Sequence, residues 1–122
     1  RAGGGSIVLL SSTAGQRGEG GYGAYAATKG AVISLVKSLA PELGRHGIQV
    51  NAVAPGWVDT DLSAPALRTD PAERKRVEGI FPLGFIPEAE HLAGPIAFLL
   101  SDWAKAIHGE IVNVNGGTVL CG

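Results

Sequence analysis

Apolar and polar positions alternate in blocks along the chain. Residues 6–11 (SIVLLS) form a short apolar run bounded by Gly5 and a Gly-rich stretch, which predicts a buried strand. The polar, Gly-rich residues 16–23 predict a loop. From about 23 to 43 the pattern is helical: Val32, Val36, Leu39 and Leu43 fall on one stripe with Leu35 at its border. Gly44 and Gly47 then stand as stop residues. Residues 48–54 predict a second buried strand, ended by Pro55 and Gly56. Residues 61–79 are mixed and charged and predict a loop with a short helix around 71–77. A further helix is expected over 87–100, with Pro87 near its first turn and Leu92, Ile96 and Leu99 as its apolar positions. Residues 110–114 predict a third strand, closed by Gly116 and Gly117.

Strands separated by helix-length segments predict an α/β fold with a parallel sheet and right-handed crossovers. In such sheets ligands bind beyond the carboxyl ends of the strands, so the residues that follow each strand are the first place to look for chemistry.

Composition narrows the function classes. The chain has 122 residues, 45% apolar and 17% charged, which fits one globular domain with a real core. A formal net charge of −1 gives no basic field for nucleic acid and no polybasic cluster for an anionic membrane. The apolar runs at 6–10 and 96–100 are too short to span a bilayer. With one cysteine, Cys121, no internal disulfide is expected, which fits a reducing compartment and a cytoplasmic protein. His46, His91 and His108 are scattered without metal-ligand spacing, so no metal site is expected. The chain begins with Arg1 and contains no methionine, and is therefore expected to be part of a longer polypeptide.

Tyr25 and Lys29 are four residues apart at the start of the long helix, so they lie one above the other. They also share the stripe of Val32, Val36 and Leu43, which predicts that both side chains point inward toward the sheet. Ser11 and Ser12 end the first strand, and strand alternation sends one of the two into the same crevice. Spacing does not choose between them. A phenol is a poor base near neutrality, but a neighbouring ammonium favours its ionised form. Such a pair suits proton transfer at a carbonyl or alcohol oxygen, with a serine hydroxyl holding that oxygen in place. By itself, a tyrosine four residues before a lysine is commonplace on helices and usually structural.

Ser12-Thr13-Ala14-Gly15, Tyr25-Ala26-Ala27-Thr28-Lys29-Gly30-Ala31, Val50-Asn51-Ala52-Val53-Ala54-Pro55-Gly56-Trp57-Val58-Asp59-Thr60 and Gly109-Glu110-Ile111-Val112-Asn113-Val114-Asn115-Gly116-Gly117 follow one another in this order. Together they resemble the second half of the short-chain dehydrogenase/reductase family, over nearly the whole chain. The resemblance implies the C-terminal half of a Rossmann-type doubly wound parallel sheet, with NAD or NADP as cofactor. It selects Ser12 over Ser11 as the residue that orients the substrate oxygen. It makes Tyr25 the general acid or base, and gives Lys29 two roles, favouring the tyrosinate and binding the nicotinamide ribose hydroxyls. It assigns Pro55, Gly56, Val58 and Thr60 to the nicotinamide end, with Val58 acting through its backbone. The implied reaction interconverts an alcohol and a ketone, on a 3-oxoacyl or sugar-like substrate.

The family's Gly-rich phosphate turn, its NAD- or NADP-selecting residue and the asparagine of its catalytic tetrad have no counterpart here. Gly3-Gly4-Gly5 precedes a strand instead of following one. Asn115 stands where the family often carries aspartate. Without a neighbour, the first strand would present an apolar edge, and the resemblance implies a homo-oligomer, dimer or tetramer, with the long helix and last strand at its interface. The alternative expectation is a non-catalytic fragment that serves only in assembly or has no function. Among the remaining residues, Asn51 and Asn113 are expected to satisfy backbone groups, Trp103 to pack, and the charged residues from Arg68 to Arg76 to form a solvated surface. Trp57 and Leu62 are expected to line the substrate pocket.

Overall fold

Strands β1 (Gly5–Leu10), β2 (Ile48–Pro55) and β3 (Ile111–Val114) form a parallel sheet in the order β1-β2-β3 in the computed structural model, which describes residues 3–121. Val8 pairs with Asn51 and Leu9 with Ala52, while Ala52 pairs across with Ile111 and Val53 with Val112. β2 is therefore the central strand, and Val50, Ala52, Val53 and Ala54 are wholly buried. Burial on both faces puts apolar residues at the consecutive positions Ala52, Val53 and Ala54, while the polar Gln49 and Asn51 both donate to Ile107 O.

The two faces carry separate cores. Helix α2 (Gly23–Gly44) covers one face, where Val36 packs with Val50 and Ala52 beside Leu9, Val32, Leu39, Leu43 and Ile111. Helix α5 (Ala89–Leu100) covers the other, where Leu99 packs with Val53 and Ala104 beside Val8, Ile96 and Val112. The expected helical stripes of both segments are thus the buried ones, and the sheet is doubly wound. One expectation is corrected. The strands advance in a single direction while α2 and α5 lie on opposite faces, so the β1–α2–β2 and β2–α5–β3 crossovers have opposite hands. Two right-handed crossovers would have placed both helices on one face. The long excursion over residues 56–88 separates β2 from α5, and it folds as a unit of its own.

That excursion contains α3 (Ala64–Leu67) and α4 (Pro71–Glu78), which pack on each other rather than on the sheet. Leu67, Val77, Phe81 and Ile86 form a third small core, with Trp57 against it. Helix α4 starts at Asp70, whose side chain accepts from the N–H groups of Ala72 and Glu73, and Pro71 occupies the first helical position. Pro87 lies outside α5, because Glu88 is its N-cap; the Glu88 N–H donates to His91 Nδ1 at 2.9 Å.

Buried polar groups tie the layers together. Asn51, 1% exposed, donates to Ile107 O and accepts from Glu110 N, a structural role as expected. Val50 N donates to His108 Nδ1, so the other ring nitrogen carries the proton and donates to Ala40 O at 2.7 Å. This bond fixes the last turn of α2 next to Pro41, which has no N–H of its own to contribute. Trp103 is not a packing residue: it is 89% exposed on the 3-10 turn Asp102–Ala104, whose buried member is Ala104. Among the described residues no helix is long and apolar enough to cross a membrane, and no group of three His, Cys, Asp or Glu is placed to hold a metal ion.

Candidate active site

The chain leaves β1 through two buried serines. Ser11 N donates to Val53 O, which keeps this exit in register with β2. The Ser11 hydroxyl donates to Lys29 O at 2.8 Å and so braces the first turns of α2. Ser12 caps a short helix, α1 (Thr13–Arg17), its Oγ accepting from Ala14 N at 3.2 Å. Among the described residues the Ser12 hydroxyl donates to no protein acceptor, so its proton is available to a group in the cleft. The two hydroxyls that spacing left equivalent thus have different employments.

Helix α1 falls within a stretch expected to be partly loop, and its five residues are too few to show a period. It packs against α2 backbone to backbone. A Cβ at Gly15 would lie 2.6 Å from the Lys29 carbonyl carbon and 2.7 Å from Gly30 N, so only glycine fits there. This contact places Ser12 beside the turn of α2 that carries Lys29.

Helix α2 runs back along the sheet, so its N-terminal turn lies at the carboxyl ends of the strands. Lys29 Nζ donates to the carbonyl of Leu10, the last residue of β1, at 3.1 Å. Tyr25 is one turn nearer the N-terminus, and a turn advances about 5.4 Å. It therefore stands beyond the end of β1, with its ring centroid 5.8 Å from Lys29 Nζ. The expectation that both side chains point into the sheet is corrected here. Lys29 is half-buried against the strand end, but Tyr25 is 50% exposed because the sheet stops before reaching it. Thr28 Oγ1 donates to the carbonyls of Ala24 and Tyr25, holding the turn between them.

Pro55 ends β2, next to β1 in the sheet, and Gly56, Val58 and Thr60 follow it. Gly56 lies close to the turn after β3: a Cβ there would be 3.2 Å from Thr118 Oγ1. Ser63 Oγ donates to Val58 O at 2.6 Å and accepts from Thr60 N at 3.0 Å, which sets the backbone of both residues. Asp59, between them, forms a parallel bridge with Glu88, and its N–H donates to Pro87 O at 2.8 Å. Its carboxylate is gripped by two arginines. Oδ2 accepts from Arg74 at 3.0 Å and Oδ1 from Arg68 Nε at 2.9 Å. Hydrogen bonds from Arg74 and then Arg68 hold the Asp59 carboxyl below its ordinary value of 3.8 and raise both guanidinium groups above theirs.

The charged residues from Arg68 to Arg76 are therefore not simply a solvated surface. Arg74 also binds Glu78 at 2.9 Å, and Arg76 binds Glu73 at 2.6 Å. Trp57 packs on the small core of this region, and Leu62 is 94% exposed. A cleft of about 400 Å³ opens between residues 59–61, Arg68 and residues 88–90. Ser12, Tyr25 and Lys29 do not line it, and no hydrogen bond among the described residues joins them to residues 55–60. The two groups share the carboxyl ends of adjacent strands. The clamp on Asp59 is the functional candidate that sequence reasoning missed, since residues 59, 68 and 74 have no spacing that a period would reveal.

A family model described as enoyl-(acyl carrier protein) reductase matches residues 1–119. An acetoacetyl-CoA reductase from Synechocystis sp. is 44% identical over 113 residues, covering 92% of this chain and 46% of that protein. The chain thus spans about half the length of the curated relatives it matches. Among solved structures, a short-chain type dehydrogenase/reductase from Mycobacterium ulcerans superposes with a TM-score of 0.89 at 38% identity, over 95% of this chain and 42% of that one. A protein described as an NAD(P)-dependent gluconate 5-dehydrogenase from Beutenbergia cavernae, with NADP bound at low occupancy, gives 0.88 at 40% identity, over 95% and 46%. With the matching motifs lying at the strand ends of a doubly wound sheet, the chain belongs to the short-chain dehydrogenase/reductase family.

Proposed function

We propose that this chain forms the proton-transfer side and the nicotinamide side of an NAD(P)-dependent oxidoreductase that interconverts an alcohol and a ketone. The observation that carries the reading is the convergence of Ser12, Tyr25 and Lys29 at the end of β1, with Lys29 fixed on Leu10 O and 5.8 Å from the Tyr25 ring. The residues present suit a dinucleotide. An ammonium has three protons to donate, and Leu10 O takes one, leaving two for a diol such as a ribose. Val58 and Thr60 lie on backbone held by Ser63, a rigid rail for an amide-bearing ring. Pro55 and Gly56 would close this end of the site. When bound, NAD or NADP supplies or accepts the hydride.

The chain's own residues handle the proton and the oxygen. Tyr25 gives its phenolic proton to the carbonyl oxygen in reduction and removes one from the alcohol in oxidation. The Lys29 ammonium stands beside the phenol during this exchange, 5.8 Å from the Tyr25 ring centroid. Ser12 directs its hydroxyl proton at the same oxygen and stabilises the charge that builds on it. The exposure of Tyr25 suits this role, since a buried phenol could not meet a substrate. The substrate is a small ketone or alcohol of the 3-oxoacyl or sugar type, the classes named for two of the similar proteins. The phosphate-binding part of the domain is proposed to lie outside these residues, and the intact protein to assemble as a dimer or tetramer.

The test is Tyr25→Phe in the intact protein. Turnover should fall at least about 1,000-fold, with NADH or NADPH affinity within about twofold by fluorescence titration. Turnover at the wild-type rate would remove Tyr25 from the chemistry and the reading with it.

A further inference from the structure

The α3–α4 unit is a separate body. Its helices pack on each other, it has a core of its own, and it meets the rest of the molecule at few places. One is the turn after β3, where Gly116 and Gly117, at φ +62° and +86°, receive Phe81 and Pro82. A Cβ on Gly116 would lie 2.6 Å from the Phe81 ring, so this is a tight, shape-specific seat. The other is Asp59. Its backbone is anchored on Pro87, and its side chain, 16% exposed, reaches an arginine at the end of α3 and another within α4. A carboxylate with one oxygen on each of two helices is a clasp. It sits between Val58 and Thr60 and borders the cleft that Arg68 and Glu88 also line.

We propose that Asp59 is a positioning residue which, through Arg68 and Arg74, fastens the α3–α4 unit over the carboxyl end of β2 and so sets the width of the substrate entrance. The proposal rests on the oxidoreductase reading for its word "substrate". Phe81 and Pro82 act as the hinge seat, and the clasp holds the opposite side. Ser63 does not duplicate the clasp, because its bonds stay within residues 58–63. With the clasp broken, the unit keeps its Leu67–Val77–Phe81 core but loosens from Asp59, and the eight-residue helix α4 opens more often.

The test uses Asp59→Asn in the intact protein, since the amide keeps the shape and loses the charge. Limited trypsin digestion, followed by mass spectrometry, reads cleavage after Arg68, Arg74, Lys75 and Arg76. Cleavage should be about five- to tenfold faster in the variant. Added salt should speed cleavage of the wild type toward the variant's rate and leave the variant unchanged, because the arginines are part-exposed and screened. In steady-state kinetics KM for the carbonyl substrate should rise about fivefold while kcat changes less than about twofold. Asp59→Glu should restore most of both. If Asp59→Asn does not fold, Arg68→Gln and Arg74→Gln, each leaving one arm of the clasp, should show smaller changes of the same kind. Wild-type cleavage and KM in every folded variant would overturn the proposal. Cleavage needs no turnover, so this failure is distinguishable from failure of Tyr25→Phe.

Discussion

The two parts of the site are held by different means. At the end of β1, Ser12 and Lys29 are placed by contacts that each end on backbone: α1 lies on α2 with room only for Gly15, the Ser11 hydroxyl donates to the Lys29 carbonyl, and the Lys29 ammonium donates to the Leu10 carbonyl. Beyond β2, position depends on side chains, with Asp59 between two arginines and a small core that stands apart from the sheet. Backbone contacts have one solution and tolerate no added atom. Charged side-chain contacts near the surface are adjustable and open with salt or acid. A proton-transfer centre needs the first kind, since small misplacements cost large factors in rate. A substrate entrance works with the second, because it has to open.

The largest effect in this comparison is expected from Gly15→Ala. The added methyl would meet only backbone atoms, the nearest at 2.6 Å, and none of them can rotate away. Helix α1 would have to lift from α2 and take Ser12 with it. Stability should fall by about 3 kcal/mol, and kcat by at least about 100-fold, as read by thermal unfolding and steady-state kinetics. Gly30→Ala is the control, since its Cβ would sit 3.4 Å from Gly15 O and need only a slight adjustment. Equal activity in the two variants would mean that this contact does not position Ser12.

Leu99→Ala comes next and separates folding from chemistry. Leu99 is 1% exposed, between α5 and Val53 on the face away from α2. Its loss should cost about 2–5 kcal/mol, with kcat of the protein that remains folded almost unchanged. A large fall in kcat at matched folded fraction would show that the α5 core also sets the site.

The same division governs what the sequence made legible. β2 was readable from its apolar residues bounded by Gly47 and by Pro55-Gly56, and α2 because burial on one face gives a helical stripe. Tyr25 and Lys29 were readable as a pair by their spacing, yet their exposure was not, because a stripe does not tell where the sheet beneath it ends. Periodicity also carries no information on which face of the sheet a helix takes, so the opposite hands of the two crossovers were invisible. Helix α1 is too short to show a period. Trp103 was misread because hydrophobicity was taken as burial, while the turn buries Ala104 instead. The Asp59 clasp joins positions 59, 68 and 74 through tertiary geometry alone, and charge composition suggested only a wet surface. Backbone-held features leave local marks in a sequence, in glycines, strand ends and stripes, and charge-held features leave none.

The smallest effect is expected from acid, and it falls on the side-chain-held region alone. Asp59 has its folded-state value lowered from 3.8, first by the Arg74 hydrogen bond and then by that of Arg68. A lowered carboxyl contributes its stabilisation above the unfolded value and loses it as pH falls through the folded one. The clasp is thus intact near neutrality and weakens only below about 3.8. Glu73, lowered by Arg76, follows the same sense on α4, and Glu78 faces Arg74 on the same helix. Hydrogen exchange, corrected for the intrinsic rate, should show α4 amides losing protection as pH falls below about 3.8, while β2 amides keep theirs. Asp59→Asn should already show the low-protection pattern at pH 5. Simultaneous loss in α4 and β2 would mean that the clasp and the sheet unfold as one unit, and the contrast between a fixed centre and an adjustable entrance would fail.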